Sequence, residues 1–239
     1  MTIAVINLAR SRDRRELIEA NFARLGLGFE FFAGIDAWRG EHVSLSQYDG
    51  SAVRSGLHRP LSAGEIGCFA SHYLLWKRCM ESREPLVILE DDVVIDDGFV
   101  RALETAIDLL PAFPLVRLGI TREGAGTKPI LLLPSDFELV SLASDTCGAQ
   151  CYILSDVGAK ALFEAAAVWC MPVDIYLNRP LIHGISDNGL RPYFVRHADQ
   201  AAYPSVIGDE RYGTWPQDRD SQAKSLVERF LAERGHKRK

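Results

Sequence analysis

Leu86-Val87-Ile88-Leu89-Glu90-Asp91-Asp92 is the stretch on which the reading of this chain turns. Four aliphatic residues follow Pro85 and run straight into three carboxylates. An unbroken apolar run of this length reads as a strand buried on both faces. Open α/β sheets bind ligands at the carboxyl ends of their strands, so acids there stand where a ligand would sit. Crowded carboxylates repel one another, and a divalent cation is the simplest neutralising partner. All-oxygen ligands suit Mg²⁺ or Mn²⁺. Such an ion could hold a diphosphate and stabilise the charge that develops as it leaves. The competing reading makes the triplet a solvated loop that caps the next helix. Asp96 and Asp97 fit that part better, because negative charge suits the start of a helix.

Outward from this strand the chain alternates between strand and helix. Thr2–Leu8 is short, apolar and β-branched and reads as a strand. Ser11 is placed to cap a helix whose Leu17, Ile18, Phe22 and Leu25 recur at helical spacing, and Gly26 and Gly28 end it. Phe29–Phe32 reads as a second strand. Strand, helix, strand at the amino end suggests an α/β nucleotide-binding sheet. Asp36–Pro60 is rich in Gly, Ser and charge, with Trp38 and Tyr48 scattered through it. It reads as a long excursion over the mouth of a site. Ser62 and Glu65 have capping-box spacing for a helix reaching about Ser82. After LVILEDDVVI, read as one strand, come a helix near Phe99–Leu110 and a strand at Leu115–Ile120. A hairpin-like pair follows at Ile130–Leu133 and Phe137–Leu142, then a strand at Gly148–Leu154, a helix at Ser155–Ala167 and a short helix after Pro172. Tyr193–Val195 reads as a late strand. Residues 1–215 form one domain on this reading, and 216–239 a terminal helix with a basic tail.

Bulk properties narrow the function classes. The 239 residues are 47% hydrophobic and 25% charged, the balance of a soluble globular domain. The net charge of −5 offers no basic footprint for nucleic acid. Five cysteines, an odd number with no C-x-x-C pair, suit neither a disulfide framework nor a zinc site and read as buried thiols in a reducing cytoplasm. The segment MTIAVINLARSRDRR has arginines after its short apolar run and is not a signal peptide. No run approaches the length of a membrane span. Leu226, Val227, Phe230 and Leu231 make one stripe of a terminal helix, followed by RGHKRK. That end either packs on the domain or touches anionic lipid at the membrane surface.

The triplet has company. VINLARSRDRR (5–15), LSAGEIGCFASHYLLW (61–76), VILEDDV (87–93), GAQCYILSDVGAKAL (148–162) and MPVDIYL (171–177) occur in that order. Together they resemble glycosyltransferase family 25, which includes bacterial lipooligosaccharide galactosyltransferases and collagen galactosyltransferases. The resemblance spans about Ile3 to Leu177. Its most specific part is G-E-I-G-C-x-x-S-H followed some twenty residues later by L-E-D-D. It implies a GT-A-like α/β fold, a mixed, mainly parallel sheet flanked by helices. It also implies a nucleotide-sugar donor, usually UDP-galactose, and inverting transfer to a glycan or glycolipid acceptor.

Carried residue by residue, Glu90, Asp91 and Asp92 take the place of the D-x-D metal motif. Asp92 is the first metal ligand, and Glu90 is a second candidate. Glu90 or Asp91 would orient the donor's ribose or sugar. Asn7, Leu8, Arg14 and Arg15 match the amino-terminal segment; Ala9 stands where the family often has an acid. A guanidinium fork at Arg14 suits phosphate or base, against the reading of an exposed helical arginine. Glu65, Cys68 and His72 share one helical face that points at the donor or packs under the acidic strand, with Ser71 beside it. Cys68 reads as packing. Asp174 is the candidate base for the acceptor hydroxyl, against an acceptor-orienting or helix-capping part. Asp145 and Asp187 are fallback bases. His197 is either a third metal ligand or a satisfied surface histidine. Two rival classes remain: a non-catalytic nucleotide-sugar binder, and a metal-dependent phosphohydrolase or nucleotidyltransferase.

Overall fold

A computed structural model describes residues 1–40, 42–49, 60–133, 136–199 and 202–203. The amino end forms β1 (Thr2–Asn7), α1 (Arg12–Leu25) and β2 (Glu30–Ala33). Two short 3₁₀ turns, Ala37–Arg39 and Val43–Gln47, carry the described part of the excursion. Helix α2 (Ala63–Ser82) then leads to β3 (Leu86–Glu90), β4 (Val93–Ile95), α3 (Phe99–Leu109) and β5 (Leu115–Gly119). The chain continues through β6 (Lys128–Leu132), β7 (Glu138–Ser141), β8 (Cys151–Leu154) and α4 (Asp156–Ala165). It ends, among the described residues, with α5 (Val173–Leu177), α6 (Pro180–His183), β9 (Asn188–Arg191) and β10 (Val195–His197).

Among the described residues eight strands form one sheet in the order β2-β1-β3-β8-β5-β9-β7-β6. All except β7 and β8 point the same way, which makes the sheet mixed and mainly parallel in strand direction. Helices cover both faces, as the GT-A-like expectation requires. Val87 and Leu89 pack with Ile18 and Phe22 of α1 and with α3. Leu86 and Ile88 face α2 and α4, against Trp76 and Leu162. Burial on both faces is the reason β3 is apolar at four successive positions. Each fully buried aliphatic side chain contributes about 1.5–3 kcal/mol.

Several boundaries differ from the sequence reading. LVILEDDVVI is two strands, not one: β3 stops at Glu90, and β4 leaves the large sheet to pair antiparallel with β10. The break falls at Asp91, whose carboxylate is drawn to Asn7 and Arg14. The strand expected from Gly148 begins at Cys151, since Gly148 sits at φ +112° in a turn against Thr121. The late strand lies at Val195–His197, and β9, short and glycine-bearing, gave no strand signal. Ser11 occupies the cap position of α1 without a side-chain cap bond. Ser62 and Glu65 do close the capping box of α2. The terminal helix and tail of 216–239 lie outside the described residues, as do 41 and 50–59 of the excursion.

Candidate active site

The parallel pairing of β1 with β3 places Ile6 opposite Glu90. The carboxyl ends of the two strands therefore deliver Asn7 and Leu8 beside the acids. The first turn of α1 brings Arg14 to the same point, 4% exposed. Arg14 Nη1 donates to Asp91 Oδ1 at 2.7 Å and lies 3.7 Å from Asp92 Oδ2. Asn7 Nδ2 donates to Asp91 Oδ2 at 2.8 Å and to the Ser11 carbonyl at 3.1 Å. Both Asp91 oxygens are thus engaged by the protein. Burial pushes the Asp91 carboxyl above its ordinary value, against the opposing pull of Arg14 and Asn7. The exposed helical arginine is not what this structure contains: Arg14 is a buried link between α1 and the acidic turn.

Asp92 faces a different set. The β4–β10 pairing sets His197 opposite Val93, and the Ala198 N–H donates to the Asp92 carbonyl. His197 Nδ1 lies 3.5 Å from Asp92 Oδ1, and its Nε2 lies 2.9 Å from Thr121 Oγ1. Burial alone would raise the Asp92 carboxyl, but His197 and Arg14 outweigh it and hold it below its usual value. Asp92 Oδ1 is a buried oxygen with no hydrogen bond. A carboxylate oxygen left so, with an imidazole nitrogen beside it, is a donor pair that fits Mn²⁺ or Mg²⁺. Residues more than a hundred positions apart meet here, which no local signal in the sequence marks.

A cleft open to solvent lies over Arg14 and the acidic turn. Leu8, Arg14, Cys68, Ser71 and the whole triplet line it, together with Asp36 and Trp38 from the first 3₁₀ turn. Trp38, 64% exposed, presents its indole at this wall. Asp36 accepts from the Trp38 N–H and pairs with Arg10. Sequence reasoning put no weight on these three; aromatic and charged residues in one polar loop were the available signal. Ser71 Oγ accepts the Ile35 N–H and donates to the Gly67 carbonyl, both at 2.8 Å, fastening the excursion to α2.

The remaining sequence candidates do not line the cleft. The Glu65 carboxylate accepts the Ser62 N–H at 2.8 Å within the capping box. His72 is fully buried behind Glu90, with Nε2 3.5 Å from Glu90 Oε1. Its Nδ1 lies 2.7 Å from the Tyr152 hydroxyl, which also accepts from Trp76 Nε1 at 2.8 Å. Asp174, in the first turn of α5, accepts the N–H of Ile175. Burial, and after it the charge of Glu90, raises its carboxyl above the ordinary range. Asp187 is held at both oxygens by Arg117, at 2.7 and 2.8 Å, in a fully buried pair, which removes it as a fallback base. Asp145 sits on the loop against Gly124, and its carbonyl accepts from Arg122.

The mixed, mainly parallel sheet flanked by helices, with an acidic turn at the end of β3 walled by the helix that carries G-E-I-G-C-x-x-S-H, is an α/β fold of the GT-A-like class. The sequence profile described as glycosyltransferase family 25 (LPS biosynthesis protein) matches residues 1–177. This chain belongs to that family. It is 31% identical over 165 residues to the lipooligosaccharide biosynthesis protein lic2B of Haemophilus influenzae, covering 66% of this chain and 60% of that one. It is 31% identical over 207 residues to procollagen galactosyltransferase 1-B of Xenopus laevis, covering 77% of this chain and 32% of that one. The chain therefore matches less than two thirds of the length of either relative. A solved glycosyltransferase involved in glycosylating the major capsid of PBCV-1 aligns over 94% of this chain and 97% of its own, at 14% identity and a TM-score of 0.39.

Proposed function

We propose that this chain transfers a hexose, galactose in the first instance, from a UDP-sugar to a saccharide acceptor with inversion. The acceptor would be a lipooligosaccharide or another surface-glycan precursor. The observation that carries the reading is Asp92, which lines the cleft beside Arg14 and is backed by His197. Family membership and the names of the two relatives support it. Asp92 and His197 would hold Mn²⁺ or Mg²⁺, with Glu90 as a further ligand or as the contact to the sugar. A bound ion there supplies positive charge for the departing diphosphate. Arg14 adds fixed positive charge beside it, while Asn7 and Asp91 keep the guanidinium in place. Trp38 offers a flat face on which uracil or a sugar ring can stack. Asp174 lies outside the lining of this cleft but near enough to feel the charge of Glu90, and with its carboxyl made more basic by burial it is the proposed base for the acceptor hydroxyl.

None of the described helices is long and apolar enough to cross a membrane. The proposed place of work is the cytoplasm, with the acceptor met at the inner membrane surface.

The decisive experiment compares wild type with Asp92→Ala, using radiolabelled UDP-galactose, Mn²⁺ and a truncated lipooligosaccharide acceptor. Loss of both transfer and donor hydrolysis, with an unchanged circular dichroism spectrum, is the expected result. Activity retained in Asp92→Ala would remove the triplet from the mechanism. Release of inorganic phosphate or pyrophosphate without sugar transfer would overturn the transferase reading itself.

A further inference from the structure

Cys68 and His72 stand four residues apart on α2 and so share one face. The end of β3 places Glu90 against that face. Glu90 Oε1 lies 3.6 Å from Cys68 Sγ and 3.5 Å from His72 Nε2, and the three donor atoms all fall within 4.8 Å of one another. In a tetrahedral zinc site, with Zn–S of about 2.3 Å and Zn–N or Zn–O of about 2.0–2.1 Å, neighbouring donors are roughly 3.3–3.6 Å apart. Two edges of such a tetrahedron are therefore already formed. We infer that Cys68, His72 and Glu90 form a binding site for a thiophilic divalent cation, Zn²⁺ by its donor set, which shares at most Glu90 with the hard-ion site at Asp92.

A second observation points to the same ligand. His72 Nε2 is fully buried, has no hydrogen-bond partner and is aimed at the other two donors. Its second nitrogen is held by Tyr152, whose oxygen can accept from both His72 Nδ1 and Trp76 Nε1. That arrangement leaves the Nε2 lone pair for a metal, the usual support of a zinc-bound imidazole. Thiolate and carboxylate together neutralise the two charges of Zn²⁺. Metal entry displaces the Cys68 proton to solvent. Cys68 and Glu90 also line the cleft, so the fourth position opens towards it. Occupancy ties up Glu90, and Zn²⁺ therefore inhibits sugar transfer.

The site rests on these three side chains and not on the transferase reading. The test uses the full chain stripped of metal and titrated with Co²⁺, then Zn²⁺ against a competing chelator. One Co²⁺ per chain should give a sulfur-to-cobalt charge-transfer band that Zn²⁺ abolishes. Cys68→Ser should remove the band and weaken Zn²⁺ binding roughly tenfold or more, and His72→Gln should weaken it comparably. Asp92→Asn should keep both. No band in wild type, or Zn²⁺ affinity that survives Cys68→Ser, or a band lost in Asp92→Asn, would overturn the site. A wild-type band in a protein that transfers no sugar would uphold the site and remove the proposed function.

Discussion

At the scale of single residues, the buried charges carry the clearest consequences. Arg14 is the cation that faces Asp91 across a contact closed to water. Removing one partner of such a pair leaves an uncompensated charge and costs about 3–5 kcal/mol. Arg14→Met should lose that much in urea unfolding, and Arg14→Lys should lose less because the charge stays. His183 offers a pH readout. Its Nδ1 accepts the Ile185 N–H, and its Nε2 lies 3.3 Å from the Leu177 carbonyl, an arrangement that only the neutral ring satisfies. Burial lowers its pKa to about 4. The folded value lies below the unfolded value of about 6.5, so the unfolded chain binds the proton more tightly. The stabilisation is complete above pH 6.5 and is lost as the pH falls towards 4, by about 3 kcal/mol in all. Urea unfolding across that range should show a steeper loss in wild type than in His183→Gln; equal slopes would refute the assignment. Arg14 was legible as a candidate from its place in VINLARSRDRR. That it is buried was not, because burial depends on which strand end α1 packs against.

At the scale of elements, α2 is the wall on which the cleft is built. The capping box was readable from Ser62 and Glu65, since cap bonds form between neighbours in sequence. Ser62→Ala should cost about 1 kcal/mol in thermal or chemical unfolding. Gly67 shows what local reading misses. A Cβ there would stand 2.3 Å from the Ile35 carbonyl oxygen, so the glycine lets the excursion lie directly on α2. Gly67→Ala should displace Ile35–Trp38 and raise the donor KM, by up to roughly 100-fold for a shift of about 1 Å, while helix content is unchanged. Steady-state kinetics with circular dichroism checks this; an unaltered KM would show that the segment does not touch donor. Likewise β4 was read as the tail of β3. Its separation depends on β10, a partner about a hundred residues away.

At the scale of the whole molecule, one sheet joins two helical layers, and the cleft lies where the ends of β1 and β3 meet α1, α2 and the Ile35–Trp38 segment. Ligands that bind the folded state alone should stabilise all of it by mass action. UDP-galactose at about a hundred times its Kd, with Mn²⁺, should add about 2.7 kcal/mol. A thermal-shift panel of UDP-, GDP-, CMP- and dTDP-sugars, with and without Mn²⁺, reads this directly. The largest shift should come from the UDP-sugar with the ion. A panel with no shift would count against the donor class.

The sequence by itself determined the α/β class, the acidic turn after β3, the capped α2 and the family. Each of these is written in contiguous residues, as hydrophobic period, capping spacing or motif. The tertiary structure alone decided that His197 stands beside Asp92, that Asp187 is consumed by Arg117, and that Cys68, His72 and Glu90 converge. Those contacts join residues 18 to 105 positions apart, and their geometry exists only once strand order and helix packing are set. The LEDD stretch thus divides in three: Glu90 turns towards α2, Asp91 anchors Arg14, and Asp92 is left to face His197 and the cleft.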